Sequence, residues 1–254
     1  MPLWLSSLLI VVPSVLSALI GHLFVRKTVG IDKLILNNEV AGFKYATLGV
    51  IYAVLLGFVV IVVWEEFNNA ENSVDHEASA LITLYRYESA LPETAPGQLR
   101  NKLLHYAEIV VHDEWQTMAR GEISPLASQA LADLFSEYKS MKIQGEPEIS
   151  IYNASLTLLS HVSEHRRDRL DAADGTIPGI MYFALSIGAI VLISFTYFFG
   201  AKSVWAQMTM TALLSLMVAL VILLILVLDH PFTGDAAVST KSFLHAIEVM
   251  RNPP

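Results

Sequence analysis

The sequence predicts an all-α membrane protein with four transmembrane helices and a helical soluble domain inserted between the second and third of them. Hydrophobic residues make up 54% of the 254-residue chain and charged residues only 16%, whereas an ordinary soluble domain carries about 25% charged residues. The apolar residues concentrate in four uncharged blocks of at least 20 residues, each long enough to cross a hydrocarbon core of about 30 Å. A polar segment of 112 residues separates the second block from the third.

The predicted domain organisation follows the order of these blocks. In chain order it comprises residues 1–64 with transmembrane helices at 3–25 and 45–64, residues 65–176 as the helical soluble domain, residues 177–228 with transmembrane helices at 177–201 and 203–228, and residues 229–254 as a C-terminal tail with a short helix. The first block also suits a signal peptide. Since it lacks a basic start and exceeds the usual apolar centre of such a peptide, we interpret it as an uncleaved span.

The polar segment between the second and third spans is acidic and has helical rather than strand periodicity. It contains 19 of the 24 acidic residues and 9 of the 16 basic ones, which gives a net charge of about −10. This acidity argues against nucleic acid as a partner. Because Glu65–Leu91 contains no Gly or Pro, the second transmembrane helix is expected to continue past the membrane, with a break at Pro92. Ser124 followed by Pro125 predicts the start of a later helix.

The second predicted span has two contrasting faces on a helical wheel. Small residues, which favour close helix packing in lipid, share one face: Gly42, Ala46, Gly49, Ala53 and Gly57. Bulky apolar residues ending at a carboxylate share the other: Ile51, Val54, Phe58, Val62 and Glu65. In a ring of subunits the bulky face would form an apolar pore constriction, and a ring of Glu65 carboxylates would favour cations. Alternatively, the bulky side chains face lipid and Glu65 is an ordinary solvated residue.

Four stretches in and beyond this span form a recognisable pattern: Ala53–Phe67 (AVLLGFVVIVVWEEF), Asn68–Glu71, Glu77–Leu81 and Leu228–Gly234 (LDHPFTG). The chain resembles, over essentially its whole length, the bestrophin-like domain family of four-span membrane proteins. That family is distantly similar to bestrophins, which are pentameric ion channels with an apolar neck on the second span. The resemblance implies that Phe58, in Leu56-Gly57-Phe58, is a neck residue and that Val54 is the next. No acidic run matches the calcium clasp of animal bestrophins, so calcium gating is not implied.

The predicted function is therefore a bestrophin-like homo-oligomeric ion channel, pentameric by resemblance, whose partners are the lipid bilayer and inorganic ions. No enzymatic activity, catalytic residue, metal or cofactor is predicted. The alternative is a membrane-anchored sensor or assembly module whose acidic helical domain binds a ligand or partner. The expected location is the plasma (inner) membrane, crossed several times. By resemblance the large domain and both termini are cytoplasmic. The basic residues near span ends weakly favour the reverse orientation, because five lie on the side opposite the domain and four on the domain side.

Histidines provide three further candidate sites. Two trios have metal-ligand residue types at helical spacing: His105, Glu108 and His112, and His161, Glu164 and His165. Solvated helix faces bring such residues together often, and this interpretation is favoured. His22 lies within the first span, where an ionisable residue is either functional or, near a span end, merely interfacial.

Charged residues at the span ends provide two more candidates. Asp229 ends the fourth span, and its carboxylate is expected to accept hydrogen bonds from backbone amides of the turn at Pro231–Gly234, with ion binding as the less favoured alternative. Arg166, Arg167 and Arg169 either attract an anion or lipid headgroups, or form an ordinary charged helix end, which is the favoured interpretation.

Overall fold

The computed structural model describes residues 3–36, 38–91, 97–143 and 145–252, and all regular secondary structure in these ranges is helical. This confirms the all-α class. The helices are α1 (Leu3–Val29), α2 (Ile31–Leu36), α3 (Asn38–Glu88), α4 (Gln98–Ile109), a π-helical turn (Val110–Glu114), α5 (Trp115–Met118), α6 (Pro125–Ser140), α7 (Glu146–Ala173), α8 (Gly179–Thr196), α9 (Val204–Leu228) and α10 (Lys241–Arg251).

Four of the described helices are long and apolar enough to cross a membrane, namely α1, α3, α8 and α9. The helix α3 is the longest, with 51 residues, and runs on to Glu88 as the absence of Gly and Pro after Glu65 predicts. The predicted break at Pro92 lies outside the described residues. Ser124 caps α6 as predicted, since its Oγ accepts a hydrogen bond from the Ala127 backbone amide at 3.1 Å.

The chain divides into two compact units. The apolar unit comprises Met1–Glu65, Thr176–Asp229 and Gly234–Ala236, and the polar unit comprises Glu66–Gly175, His230–Thr233 and Ala237–Pro254. Each unit has its own buried core.

In the apolar unit, α1 packs along α9, and α3 packs on α8 and α9. Tyr52 is the central contact of α3, because its buried hydroxyl donates a hydrogen bond to the Leu185 carbonyl oxygen at 2.9 Å. Its ring lies over Gly188, where a Cβ would come within 2.5 Å of the Tyr52 ring. Only glycine therefore lets α3 and α8 approach this closely.

Hydrogen bonds fix the short connection between α8 and α9. The Asn38 side chain accepts a hydrogen bond from the Gly200 amide at 2.9 Å and donates one to the Gly200 carbonyl at 2.7 Å. Arg26 Nη1 donates to the Ala201 carbonyl and to Gln207 Oε1, both at 2.8 Å. These contacts satisfy backbone groups that the helix ends leave without intrahelical partners.

The polar unit is a helical core built from α4, α6, α7, α10 and the C-terminal part of α3. The π-helical turn Val110–Glu114 inserts one residue into the regular helix spacing, and Glu114 within it is completely buried. The aromatic rings of Phe232 and Phe243 pack edge-on against Trp115, at centroid distances of 5.5 and 6.3 Å. The segment after the last apolar helix thus completes this core.

Candidate functional site

The apolar part of α3 has three faces rather than the two that the helical wheel predicts. The additional face contacts the chain's own helices. It consists of Tyr45, Leu48, Tyr52, Leu55 and Leu56, which pack with α8 and α9, and of the buried Val59 and Val63. At 100° per residue this own-chain face is centred on Tyr52, and the two predicted faces flank it on either side.

The predicted small-residue face does not pack against the described part of the chain. A Cβ at Gly49 or Gly57 would meet no atom within 4 Å, and one at Gly42 would meet only Phe199, at 3.9 Å. Ala46 and Ala53 are exposed. The face is therefore accessible to a second helix, and its role in helix packing stays a prediction.

The predicted bulky face is also exposed in the single chain. The exposed fractions are 65% for Ile51, 53% for Val54, 67% for Phe58 and 44% for Val62. Glu65 is exposed as well and forms no ion pair with another described residue. Lipid and a pore are both compatible with this exposure, so the pore-lining role of these residues stays a prediction.

Comparison with known proteins decides the family. The sequence profile of the bestrophin-like domain matches residues 9–243. The chain belongs to the bestrophin-like domain family. This confirms the resemblance drawn from the sequence and, together with the four apolar helices, identifies a membrane protein.

Solved structures with the same fold include bacterial bestrophin homologues from Klebsiella pneumoniae. One, carrying a single substitution, is 13% identical, with a TM-score of 0.74 over 95% of this chain and 99% of that one. Another, solved with zinc phasing, is 15% identical, with a TM-score of 0.70 over 94% of this chain and 96% of that one. No curated protein gave a significant match.

The bestrophin-like chain also contains a buried ionic network that sequence reasoning missed. Arg169 is completely buried, and its guanidinium donates to Glu77 at 2.8 and 3.2 Å and to Glu114 at 2.7 Å. Arg166 donates to Glu114 at 2.6 and 3.0 Å, and the Tyr106 hydroxyl donates to Glu77 at 2.6 Å. Two cations and two carboxylates thus neutralise each other inside the polar unit.

This network corrects the interpretation of the three arginines. Arg169 and Arg166 are neither anion-attracting residues nor part of a solvated helix end, since their donors are bound to carboxylates; only Arg167 is exposed. Burial by itself lowers the pKa of Arg169, but the nearby Glu77 carboxylate outweighs it and raises that pKa overall. Burial and then the Glu77 charge raise the pKa of Tyr106 well above its usual value. Both shifts keep Arg169 protonated and Tyr106 neutral at neutral pH, and the hydrogen bonds of the network are structural.

Asp229 has different partners from those predicted. Its Oδ1 accepts hydrogen bonds from the backbone amides of Thr176 at 2.9 Å and Ile177 at 3.0 Å, and its Oδ2 accepts one from the Tyr182 hydroxyl at 2.6 Å. The carboxylate at the end of α9 thus lies at the start of α8, where the helix dipole favours negative charge. The predicted bonds to the following turn were wrong because this partner segment is about 50 residues away in sequence.

The histidines occupy two kinds of environment. His22 is completely buried with its ring edge-on to Tyr197 at 6.2 Å, and neither ring nitrogen has a hydrogen-bond partner in the structure. His161 and His165 lie on α7, and the ring of His165 is 5.2 Å from that of His76. Across the described ranges, no three His, Asp or Glu side chains are arranged to hold a metal ion.

In the other predicted trio, which consists of His105, Glu108 and His112, the carboxylate already has a partner. Glu108, which lies between His105 and His112 in sequence, pairs with Arg251 of α10. This contact uses the carboxylate that the sequence made available to a metal.

Proposed function

We propose that this bestrophin-like chain forms an ion channel from identical copies, five by the family resemblance, with α3 lining an apolar neck. The observation that carries the proposal is that, in the described part of the chain, neighbouring helices cover only one of the three faces of α3. The small-residue face and the bulky face both remain exposed. In a monomer anchored in the membrane, with a ligand-binding polar unit, both faces would contact lipid alone.

A ring of copies uses all three faces of α3. The own-chain face contacts α8 and α9. In the proposed assembly these two helices lie outside the ring of α3 helices. The small-residue face allows the α3 helix of an adjacent copy to approach closely. The bulky face then points toward the axis, away from the chain's own helices.

The bulky face supplies the chemistry of a hydrophobic neck. Ile51, Val54, Phe58 and Val62 follow each other at intervals of three or four residues, so they extend over about 16 Å of helix. An apolar constriction of this kind controls ion flow through its wetting and its width. Glu65 follows on the same face and places one carboxylate per copy at the mouth of the neck.

The proposal includes the location of the channel. It lies in the plasma (inner) membrane, with the polar unit and both termini on the cytoplasmic side. The family resemblance supports this orientation. The orientation is tested with a single Cys introduced in the polar unit and a thiol reagent that does not cross the membrane. The reagent is expected to label inverted vesicles but not intact cells.

Assembly is tested by cross-linking, for which the chain is well suited because it contains no Cys. Gly49→Cys places a single thiol on the small-residue face, and a short bifunctional thiol reagent is expected to join adjacent copies, because equivalent residues of neighbouring helices in a ring lie about 8–10 Å apart. Phe183→Cys, on the exposed surface of α8, is the control and is expected to remain uncross-linked. Equal cross-linking of both variants, or a monomeric mass in mild detergent, would exclude the ring and favour the anchored module.

Conduction is tested with purified protein in planar bilayers. Phe58→Ala is expected to change single-channel conductance or gating, because it removes a large apolar side chain from the neck. Phe183→Ala is the matched control, since this phenylalanine is 63% exposed against 67% for Phe58 but lies on α8. Silent bilayers with intact oligomers, or identical effects of the two variants, would contradict the channel.

The role of Glu65 is tested separately. Glu65→Gln is expected to weaken cation preference, read from reversal potentials in a salt gradient. Glu66→Gln is the control, because the helical repeat turns Glu66 about 100° away from Glu65. Unchanged reversal potentials in Glu65→Gln would remove this carboxylate from the mechanism.

A further inference from the structure

A cavity within the apolar unit has no role in the proposed neck. It lies between α1, α8 and α9 and has a volume of about 350 Å³. This volume falls at the lower end of the range of small-molecule sites, about 300–1,000 Å³. None of the α3 residues assigned to the neck lines it.

One hydroxyl in this cavity lacks a partner. Ser215 of α9 is completely buried, and its Oγ makes no hydrogen bond in the structure. A serine inside a helix normally donates to a carbonyl oxygen one turn earlier, as Ser14 does to Ile10 at 2.7 Å in the same cavity wall. Ser215 instead leaves its hydroxyl unpaired at the wall, and a buried unpaired hydroxyl is unfavourable unless a ligand or water binds it.

The rest of the wall defines what the cavity accepts. All three helices contribute hydroxyls, including Ser17 of α1, Ser186 and Ser194 of α8, and Ser215 of α9. The remaining surface is mostly aliphatic: Ile10, Ala18, Ala189, Ile190, Ile193, Val218, Ala219 and Ile222. No charged side chain lines the cavity, so an ion would lose its hydration without gaining a counter-charge.

We propose that this cavity binds a small uncharged amphiphile of the alcohol class, with the hydroxyl of the ligand paired to Ser215 Oγ. The aliphatic part of such a molecule matches the aliphatic wall, and its hydroxyl both donates and accepts. Molecules of this class partition into bilayers and so concentrate around the apolar helices that enclose the cavity. The site does not depend on the proposed channel.

The test uses a diazirine-bearing eight-carbon alcohol as a photolabel on the full-length chain in lipid nanodiscs. Mass spectrometry of digested peptides is expected to find labelling of α1, α8 and α9 that excess unlabelled octanol prevents. Ser215→Ala is expected to weaken competition by octanol about three- to tenfold, as the loss of one hydrogen bond predicts.

A second variant, which enlarges a side chain in the cavity wall, keeps the test decisive if Ser215→Ala does not fold. Ala219→Leu fills the cavity and is expected to abolish competable labelling, whereas Ala206→Leu adds the same volume at an exposed position of α9 and is expected to leave it unchanged. Unsaturable labelling spread over exposed helix surfaces would overturn the proposal. So would the absence of competable labelling in the wild-type chain, which is the result expected if water or another copy of the chain fills the cavity.

Discussion

Removal of the Arg169 guanidinium is expected to destabilise the polar unit strongly. In Arg169→Met the side chain keeps its approximate length and its contacts with the Trp115 ring, which lies 5.6 Å from the guanidinium carbon. The charge and three short hydrogen bonds disappear. Among the described residues, Glu77 then keeps only the Tyr106 hydroxyl, at 2.6 Å, as a polar partner, while Glu114 keeps Arg166.

The magnitude follows from the burial of these groups. Arg169, Glu77 and Glu114 have no exposed side-chain surface, so solvent does not screen the carboxylate that remains. Breaking a buried pair by removing one partner costs about 3–5 kcal/mol. For a unit of this size that corresponds to a decrease of about 11–18 °C in the unfolding midpoint.

The assay is thermal unfolding of the detergent-purified chain, followed by tryptophan emission, to which Trp115 contributes from within the polar unit. Arg167→Met is the matched control, because Arg167 lies on the same helix but is exposed; it is expected to change stability by less than about 0.5 kcal/mol. Addition of Glu77→Gln to Arg169→Met is expected to recover part of the loss, because the double variant leaves no unpaired charge at Glu77.

Two results would refute this reasoning. One is a midpoint for Arg169→Met within the error of that for Arg167→Met. The other is a double variant less stable than Arg169→Met, which would mean that the unpaired Glu77 carboxylate is not the source of the loss.

Three further predictions concern packing, capping and alkaline stability. Gly188→Ala is expected to lower stability by about 1–3 kcal/mol through overlap with Tyr52, while Gly179→Ala, where a Cβ meets open space, is neutral in the same melt. Asp229→Asn is expected to cost about 1–3 kcal/mol, since it removes the charge at the start of α8; an unchanged midpoint would contradict this. Burial raises the pKa of Tyr138 from 10.0 to about 12, so the unfolded chain releases this proton first. Stability should therefore fall as the pH rises from about 10 to 12, by about 2–3 kcal/mol in denaturant titrations, and a flat profile in this range would be inconsistent with a buried phenol.

The sequence predicted the helices and the helix cap whose determining residues lie close together in the chain. Apolar blocks free of charge predicted the four long apolar helices, and the absence of Gly and Pro predicted that α3 continues to Glu88. The Ser124 cap followed from the same kind of signal, because its partner is only three residues away. The family resemblance also rested on contiguous motifs, and the profile match to residues 9–243 confirmed it.

The third face of α3 shows where the helical wheel was insufficient. The wheel separated small from bulky residues, but it contains no information on which face meets the chain's own helices. Tyr52 was the available signal, since a tyrosine in an apolar span needs a hydrogen-bond partner, and its partner is Leu185. The sequence alone did not identify that carbonyl.

What the sequence determined by itself is the helical class, the presence of four long apolar helices and the family, because hydrophobicity and helical periodicity act over a few turns of the chain. The third of these helices is shorter than the predicted 177–201, since α8 spans Gly179–Thr196. Only the tertiary structure decided which polar groups meet. Arg169 binds Glu77, which is 92 residues away in sequence, and Glu114, which is 55 residues away. Asp229 binds backbone amides at the start of α8 rather than those of the turn beside it. A charged side chain is solvated or buried according to the partners that folding brings to it, and those partners are distant in sequence.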